Sequence, residues 1–196
     1  QLGDRYGQAK VLQGTALTMS RSSKLDEAIE FTQAAIRIYR ELPEGKIDLG
    51  YSLFNVASLL ADQKRAGDGI AYLQEAVEIA HVTKKTRLLS VSVGQLGVAY
   101  AAQREIEPAR RCFREALELA KSLNGADTLT WLYLHIGELE LSVDCHEEAE
   151  RNFLFALEAG KDLKLEDCMH RCHQGLVKIY EARGAVQLAF EHYKQF

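Results

Sequence analysis

The chain has 196 residues, 47% hydrophobic and 27% charged, which is enough apolar material for one globular domain or one short array of repeats. Its formal net charge of −4 is small and both signs are mixed along the chain, which excludes a strongly basic nucleic-acid-binding surface and a basic membrane-binding helix. There is no run of 18 apolar residues and no signal-peptide pattern, and four cysteines are too few for a disulfide framework, so we expect a cytoplasmic protein.

Hydrophobic periodicity predicts ten amphipathic helices and no strand. Apolar residues recur at i, i+3, i+4 and i+7, as in Ala109, Cys112, Phe113 and Ala116, while clusters of Gly, Asn and Asp separate the segments. In chain order the predicted helices span residues 5–20, 25–42, 46–63, 66–82, 86–102, 106–122, 126–142, 146–162, 166–182 and 186–196.

The same residue types return at a fixed spacing along the whole chain. Small residues stand at intervals of 41, 40, 40 and 40, at Ala16, Ala57, Gly97 and Gly137, with Val177 as the fifth member. Twelve residues after each of them comes another small residue, at Ala28, Gly69, Ala109, Ala149 and Ala189, and four residues further on comes Thr32, Leu73, Phe113, Phe153 or Tyr193. A period of this length is typical of a solenoid, in which each unit buries its apolar face against its neighbours.

The small residues have a physical reason. Two antiparallel helices approach closely only where side chains are short, so Gly97 and Gly137 on first helices, and Ala109 and Ala149 on second helices, are expected to mark crossing points. The large residue four positions after each second-helix small residue is expected to fill the gap between units.

The segment with Leu96-Gly97, Tyr100, Ala109, Phe113 and Ala116 resembles the tetratricopeptide repeat, and Ile136-Gly137, Ala149, Phe153 and Ala156 repeat the pattern. A period of about 40 is similar to the long-repeat variety of Leu-Gly-Asn-repeat scaffolds, kinesin light chains and bacterial signalling modules. The resemblance implies an all-α, right-handed superhelical α-solenoid of five helix-turn-helix repeats in one domain, residues 1–196. The repeats would span 5–45, 46–85, 86–125, 126–165 and an incomplete 166–196.

The resemblance also implies a concave groove, lined by the first helix of each repeat, that binds a peptide or a helix of a partner protein. By helical phase the first repeat contributes Lys10, Gln13, Gly14 and Leu17. The residues predicted to line the groove in the other repeats are Tyr51, Phe54, Asn55 and Ser58, then Val91, Gly94, Gln95 and Val98, then Trp131, Leu134, His135 and Glu138, then Arg171, Gln174, Gly175 and Lys178. All of these except Ser58, Val91, Gly94 and Gly175 are predicted to bind the partner. Trp131, the only tryptophan, is the predicted anchor, because interface energy concentrates in Trp, Tyr and Arg.

Each groove residue has a second interpretation that the sequence leaves open. Trp131, Tyr51 and Phe54 fit a packed core as well as a groove. Asn55 fits either a residue that holds a ligand backbone or an ordinary surface amide. Arg171 and Lys178 could pair with an acidic ligand or with neighbouring glutamates. Some members of this family bind the terminal carboxylate of a ligand with asparagine side chains on adjacent repeats. This chain does not match that pattern, because Asn55 is followed in the next repeat by Gln95 instead of a second asparagine.

Metal binding and catalysis have little support in the sequence. Cys168 and Cys172 are four residues apart beside His170 and His173, but a zinc site needs four converging ligands, and small buried thiols explain the spacing equally well. No phosphate-binding, nucleophile-elbow, zinc-protease or dinucleotide motif occurs. We therefore predict no metal, no cofactor, no catalytic residue and no enzyme activity.

The predicted function is a non-catalytic protein-interaction scaffold, and the alternative is a ligand- or peptide-responsive sensor module of a signalling protein. The partner is expected to be a protein, not nucleic acid or a membrane. No polar capping helix closes the last repeat. We interpret the chain as part of a longer protein, and the alternative is an end-to-end homodimer through the C-terminal repeat.

Overall fold

A computed structural model describes residues 4–163 and 165–195, and within these ranges it contains ten α-helices and no strand. The helices are α1 Arg5–Arg21, α2 Leu25–Tyr39, α3 Lys46–Asp62, α4 Ile70–Thr83, α5 Thr86–Ala102, α6 Ile106–Ser122, α7 Ala126–Ser142, α8 His146–Ala159, α9 Glu166–Ala182 and α10 Val186–Tyr193. The prediction of ten helices is confirmed, and most boundaries agree with the predicted ones to within a residue or two.

Four helices are at least three residues shorter than predicted. α10, predicted to reach residue 196, which lies outside the described residues, ends at Tyr193. The other three are shorter for local reasons. α2 ends at Tyr39 because Pro43 forces Leu42 into an extended conformation, with φ −114° and ψ 109°. α4 begins at Ile70, since the preceding Ala66–Gly69 segment, with two glycines, forms a tighter 3₁₀ turn. α8 ends at Ala159, with Gly160 as its C-terminal cap.

The repeat period also appears in the backbone, in the turn between the two helices of each repeat. One residue there adopts a left-handed conformation in every repeat: Ser23, Lys64, Arg104, Asp144 and Gly184, with φ between 58° and 69°. The next residue donates its backbone N–H to a carbonyl five residues earlier, as Glu105 does to Tyr100 at 2.9 Å. This is the Schellman ending of a helix, which satisfies carbonyls that would otherwise lack a partner.

The chain forms two compact units, Gln1–Glu115 and Ala116–Phe196, here called unit 1 and unit 2. In unit 1, consecutive helices from α1 to α5 pack on one another around a core that includes Tyr39, Leu53, Val56 and Leu88. In unit 2, α7 packs on α8, α8 on α9 and α9 on α10 around Leu134, Phe153, Leu176 and Ile179.

Phenylalanine rings fill the space that the first-helix glycines leave open. A Cβ atom added to Gly97 would lie 2.8 Å from the ring of Phe113, and one added to Gly137 would lie 2.7 Å from the ring of Phe153. Phe153 also packs on Gly175 of the next repeat, where an added Cβ would lie 2.3 Å from the ring. Within unit 2, Phe153 therefore lies between two consecutive repeats, as the sequence predicted.

Candidate interaction surfaces

A pocket of about 180 Å³ lies in unit 1 between the first helices of the first two repeats, α1 and α3. Four of the predicted groove residues line it, and the complete lining is Gln13, Ala16, Leu17, Ser20, Thr32, Asn55, Ser58, Leu59 and Asp62. The pocket thus combines an apolar part with amide, hydroxyl and carboxylate groups, which is the composition of a small ligand site.

Gln13 is a fixed part of this pocket because its amide is bonded at both ends. The Gln13 Nε2 donates to Ser52 Oγ at 2.5 Å, and the Tyr39 hydroxyl donates to Gln13 Oε1 at 2.9 Å. Burial, helped by the nearby Asp48 and Tyr6, raises the pKa of Tyr39 to about 12, so the phenol keeps its proton and remains a donor at neutral pH. Gln13 therefore forms a rigid wall of the pocket.

Asn55 and Leu17 are the open groups of the same pocket. Asn55 is exposed, and its side-chain amide bonds to no group in the part of the chain that the structure describes. Leu17 is 55% exposed. An amide that can both donate and accept, beside an exposed leucine, suits one polar group and one apolar side chain of a ligand.

The other predicted groove residues of unit 1 are less accessible. Tyr51 and Phe54 are half-buried and pack against the core, so they serve the core and border the surface at the same time. Val98 is half-buried. Gln95 is only 6% exposed, so its prediction as a partner-binding residue is corrected. α5 is buried around most of its circumference, because its Ser and Gly residues let neighbouring atoms approach closely.

Four predicted groove residues of unit 2 form one connected cluster on α7 and α9, here called the Trp131 cluster. The half-buried Trp131 contacts His135 edge to face, with ring centroids 4.5 Å apart. His135 Nδ1 lies 3.0 Å from Glu138 Oε2. Arg171 of α9 donates from Nε and Nη2 to the Glu138 carboxylate at 3.0 and 2.7 Å. The cluster therefore connects an indole ring, through His135, to a carboxylate that is paired with both His135 and Arg171.

The charge state of Glu138 follows from its surroundings. Burial alone would raise its pKa, but the hydrogen bond from His135 and the positive charge of Arg171 outweigh burial and lower the pKa. Glu138 is thus ionised at neutral pH and engages Arg171, which decides the open alternative for Arg171 in favour of an internal ion pair. Lys178 is exposed and forms no ion pair with any described residue.

Two further predictions in unit 2 have different outcomes. Gln174 is exposed, and its Nε2 lies 2.8 Å from His170 Nε2 on the same helix. Leu134 is 0% exposed and belongs to the core cluster that contains Phe153 and Leu176, so its prediction as a groove residue is corrected. The Leu134 side chain packs in the core, whereas helical phase had assigned it to the groove.

The cysteines and histidines near α9 do not form one cluster. Cys172 is fully buried, and burial raises its pKa to about 12, while burial also raises the pKa of Cys168, so both thiols stay protonated at neutral pH. His173 instead pairs with His192 of α10, with the two Nδ1 atoms 2.8 Å apart. Among residues 4–163 and 165–195, no three His, Cys, Asp or Glu side chains are arranged to hold a metal ion.

A polar network in unit 2 was not anticipated from the sequence. His192 of α10 stacks on Tyr180 of α9 at 5.5 Å, and the Tyr180 hydroxyl donates to Glu150 of α8 at 2.8 Å. Arg183 also pairs with Glu150. The contacts of this network join residues that are 12, 30 and 33 positions apart, and no short sequence motif covers such separations.

In the described part of the chain, no helix is both long enough and apolar enough to cross a bilayer.

The chain is similar in sequence to known repeat proteins. A family model described as tetratricopeptide repeat matches residues 48–122. The Arabidopsis thaliana protein KINESIN LIGHT CHAIN-RELATED 2 is 26% identical over 192 residues, which cover 89% of this chain and 28% of the plant protein. The chain therefore spans less than a third of that relative.

Solved structures agree on the fold. A Rap protein complexed with Competence and Sporulation Factor superposes with a TM-score of 0.86 at 19% identity, covering 96% of this chain and 52% of that one. BtubC (BKLC) from P. vanneervenii superposes with a TM-score of 0.72 at 20% identity, covering 92% of this chain and 74% of that one. At these identities the likeness concerns the fold, and it supports the predicted α-solenoid of helical repeats.

Proposed function

The chain is a tetratricopeptide-repeat protein, and on that premise we propose that it is a non-catalytic scaffold that binds a peptide or helical segment of a partner protein. Ligand segments contact the first helices of the repeats at two separate surfaces, the α1/α3 pocket within unit 1 and the Trp131 cluster within unit 2. We place the protein in the cytoplasm, with another protein as its partner.

One observation carries this proposal. The family resemblance implied a groove, helical phase assigned Gln13, Leu17, Asn55 and Ser58 to it, and the same four residues are part of the lining of one pocket. The residues come from two helices that are 41 residues apart in the repeat pattern. If these residues served only to pack α1 against α3, no cavity would be needed between the two helices.

The chemistry of the two surfaces suggests how a ligand binds. The Asn55 amide can donate to a carbonyl and accept from an N–H of an extended backbone, while Leu17 and Leu59 supply an apolar contact for a side chain. The Trp131 ring supplies a large, rigid contact area in unit 2. Because Arg171 is already paired with Glu138, the Trp131 cluster favours a neutral, apolar ligand segment over an acidic one.

The test is selection of peptides from a display library on the folded chain, followed by affinity measurement for variants. Asn55→Ala with Leu17→Ala should weaken the selected peptides that bind unit 1 at least tenfold, and Trp131→Ala should weaken those that bind unit 2. The matched control is Val82→Ala, which removes a side chain that is 68% exposed on α4, outside both surfaces. Unchanged affinities in all folded variants would refute the groove assignment.

The alternative function is a sensor module that changes conformation when it binds a ligand. The observation that favours it is the fold likeness to the Rap protein in complex with Competence and Sporulation Factor, which covers 96% of this chain. A sensor should change its radius of gyration in small-angle scattering when a selected peptide saturates it. A scaffold should keep its dimensions and gain only thermal stability.

A further inference from the structure

The α1/α3 pocket lies at a place that a phenylalanine ring fills in unit 2. There the ring of Phe153 lies between Gly137 of α7 and Gly175 of α9, and Cβ atoms added to these two glycines would lie 2.7 and 2.3 Å from it. The repeat period aligns α7, α8 and α9 with α1, α2 and α3. In chain order, the equivalents of these three residues in unit 1 are Ala16, Thr32 and Asn55. All three line the pocket.

Two further lining residues extend this correspondence. Leu134 and Ile179 belong to the same core cluster of unit 2 as Phe153. Their equivalents in unit 1 are Gln13 and Leu59, and both of these also line the pocket. Five of the nine lining residues therefore occupy the positions that carry or surround the phenylalanine ring in unit 2.

The side chains of unit 1 leave this place open because they are small or are held elsewhere. Thr32 is 2% exposed, and its hydroxyl donates to the backbone carbonyl of Ala28 at 2.7 Å, within its own helix. Gln13 cannot turn into the space, because Ser52 and Tyr39 bond its amide at both ends. The pocket is thus a fixed cavity where a core ring is missing.

The pocket has the size and the lining of a site for one phenyl ring. Its volume is about 180 Å³. An engineered apolar cavity of about 150 Å³ in another protein binds benzene. Ala16, Thr32 and Leu59 are buried and form the inner part of the lining, whereas Asn55 is exposed at the mouth. A side chain that enters through the mouth would therefore have an apolar end and its backbone beside the Asn55 amide.

The pocket does not depend on what precedes α1. Gly175 faces the preceding repeat in unit 2, and its equivalent on α1 is Gly14. Gly14 does not line the pocket. The pocket lies instead between α1 and the two helices that follow it, so it belongs to the first two repeats alone.

We propose that the α1/α3 pocket binds the ring of a phenylalanine in the ligand, at the place where Phe153 itself provides the ring in unit 2. This inference rests on the proposed function, since it names the residue of the ligand segment that the pocket takes. The ring packs on the buried Ala16, Thr32 and Leu59, which removes apolar surface from water. The ligand backbone beside it exchanges hydrogen bonds with the Asn55 amide.

The test uses N-acetyl-phenylalanine amide as the probe and N-acetyl-alanine amide as its control without a ring. Each is titrated into the folded chain, and the methyl signals of Ala16, Thr32 and Leu59 are followed by NMR. The phenylalanine probe should shift these signals saturably, and the alanine probe should not. Absence of a saturable shift up to the solubility limit of the phenylalanine probe would overturn the proposal.

Filling the pocket from within should abolish probe binding. Thr32→Phe provides the ring from α2, but Ala16 has a Cβ atom that Gly137 lacks, so Thr32→Leu is the second filling variant. Leucine is the residue of the second repeat at this position, where Leu73 is 1% exposed and packs with Ala57. Thr32→Val, which matches threonine in size, is the control and should bind the probe as wild type does. A folded filling variant that binds the probe as tightly as wild type would overturn the proposal.

Peptides selected on the folded chain separate this inference from the proposed function. Those that lose affinity when Asn55 and Leu17 are replaced should contain a phenylalanine and should lose affinity for Thr32→Leu as well. Peptides that lack phenylalanine and bind Thr32→Leu as tightly as wild type would overturn the inference and leave the proposed function standing. Probe binding at Ala16, Thr32 and Leu59 without any selected peptide would support the ring site and count against the proposed function.

Discussion

His173 and His192 share one hydrogen bond between their Nδ1 atoms, 2.8 Å apart, and this bond joins α9 to α10. Only one of the two nitrogens can carry a proton while the bond exists, because one must donate and the other accept. The last helix is therefore attached through a contact that requires at least one of the two imidazoles to stay neutral and accept the hydrogen bond.

Acidification should loosen α10. Burial lowers the pKa of His173, helped by the nearby His192 and His170, and burial also lowers that of His192, against the opposing effect of Glu191 and Glu150. A histidine with a lowered folded-state pKa stabilises the fold above its unfolded pKa of about 6.5, and this stabilisation is lost as the pH falls through the folded pKa.

Hydrogen exchange of the α10 amides checks this pH dependence. Protection should be constant from pH 8 to 7 and should fall below pH about 6.5, once corrected for intrinsic exchange. His192→Gln, which cannot acquire a charge, should flatten the pH dependence. An equally steep loss in that variant would assign the effect to other groups, of which Glu150, Glu191, His170 and Arg183 are the nearest charged or titratable ones.

Gly175→Ala should destabilise the protein by roughly 1–3 kcal/mol. The added Cβ would lie 2.3 Å from the Phe153 ring, which is also held by Gly137 and cannot move away. Gly14→Ala is the matched control, since it occupies the equivalent repeat position on α1 with no atom within 4 Å. That variant should be neutral or stabilising by up to about 1 kcal/mol, because alanine favours the helix. Chemical denaturation of dilute protein measures both.

Arg104→Gly should stabilise the protein, although it removes a side chain. Arg104 adopts φ 63°, which glycine tolerates and a residue with a Cβ atom does not favour. Gly184 already occupies the same turn position in the last repeat, with φ 69°. A gain of about 0.5–1 kcal/mol in the free energy of unfolding is expected, and Arg104→Val should lose stability. Equal stability of the glycine and valine variants would contradict this account of the turn.

Arg171→Gln should raise the pKa of Glu138. The charge of Arg171 and its hydrogen bonds both lower the pKa of Glu138, and in this variant His135 is left to oppose the effect of burial. Carboxyl carbon-13 titration by NMR measures the shift directly. Lys178→Gln is the control, because that exposed lysine lies on the same helix and forms no ion pair with any described residue, so it should leave the pKa of Glu138 where it is.

The candidate surfaces were predictable in part. Gln13, Leu17, Asn55 and Ser58 were placed together correctly, because the pitch of a helix and a 40-residue period suffice to say which residues of neighbouring first helices face the same way. Leu134 and Gln95 were misplaced by the same reasoning. Helical phase predicts the direction in which a side chain points, but it does not predict how close the neighbouring helices lie. Leu134 and Gln95 are both buried.

The amino-acid sequence by itself determined the helices, their spacing and the glycines beside Phe113 and Phe153, because each depends on local periodicity and on the size of single residues. The tertiary structure alone decided that Arg171 is paired with Glu138 and that His173 meets His192. Those contacts depend on how closely the helices cross. The packing of many side chains together sets that distance, so no single segment of the sequence predicts it.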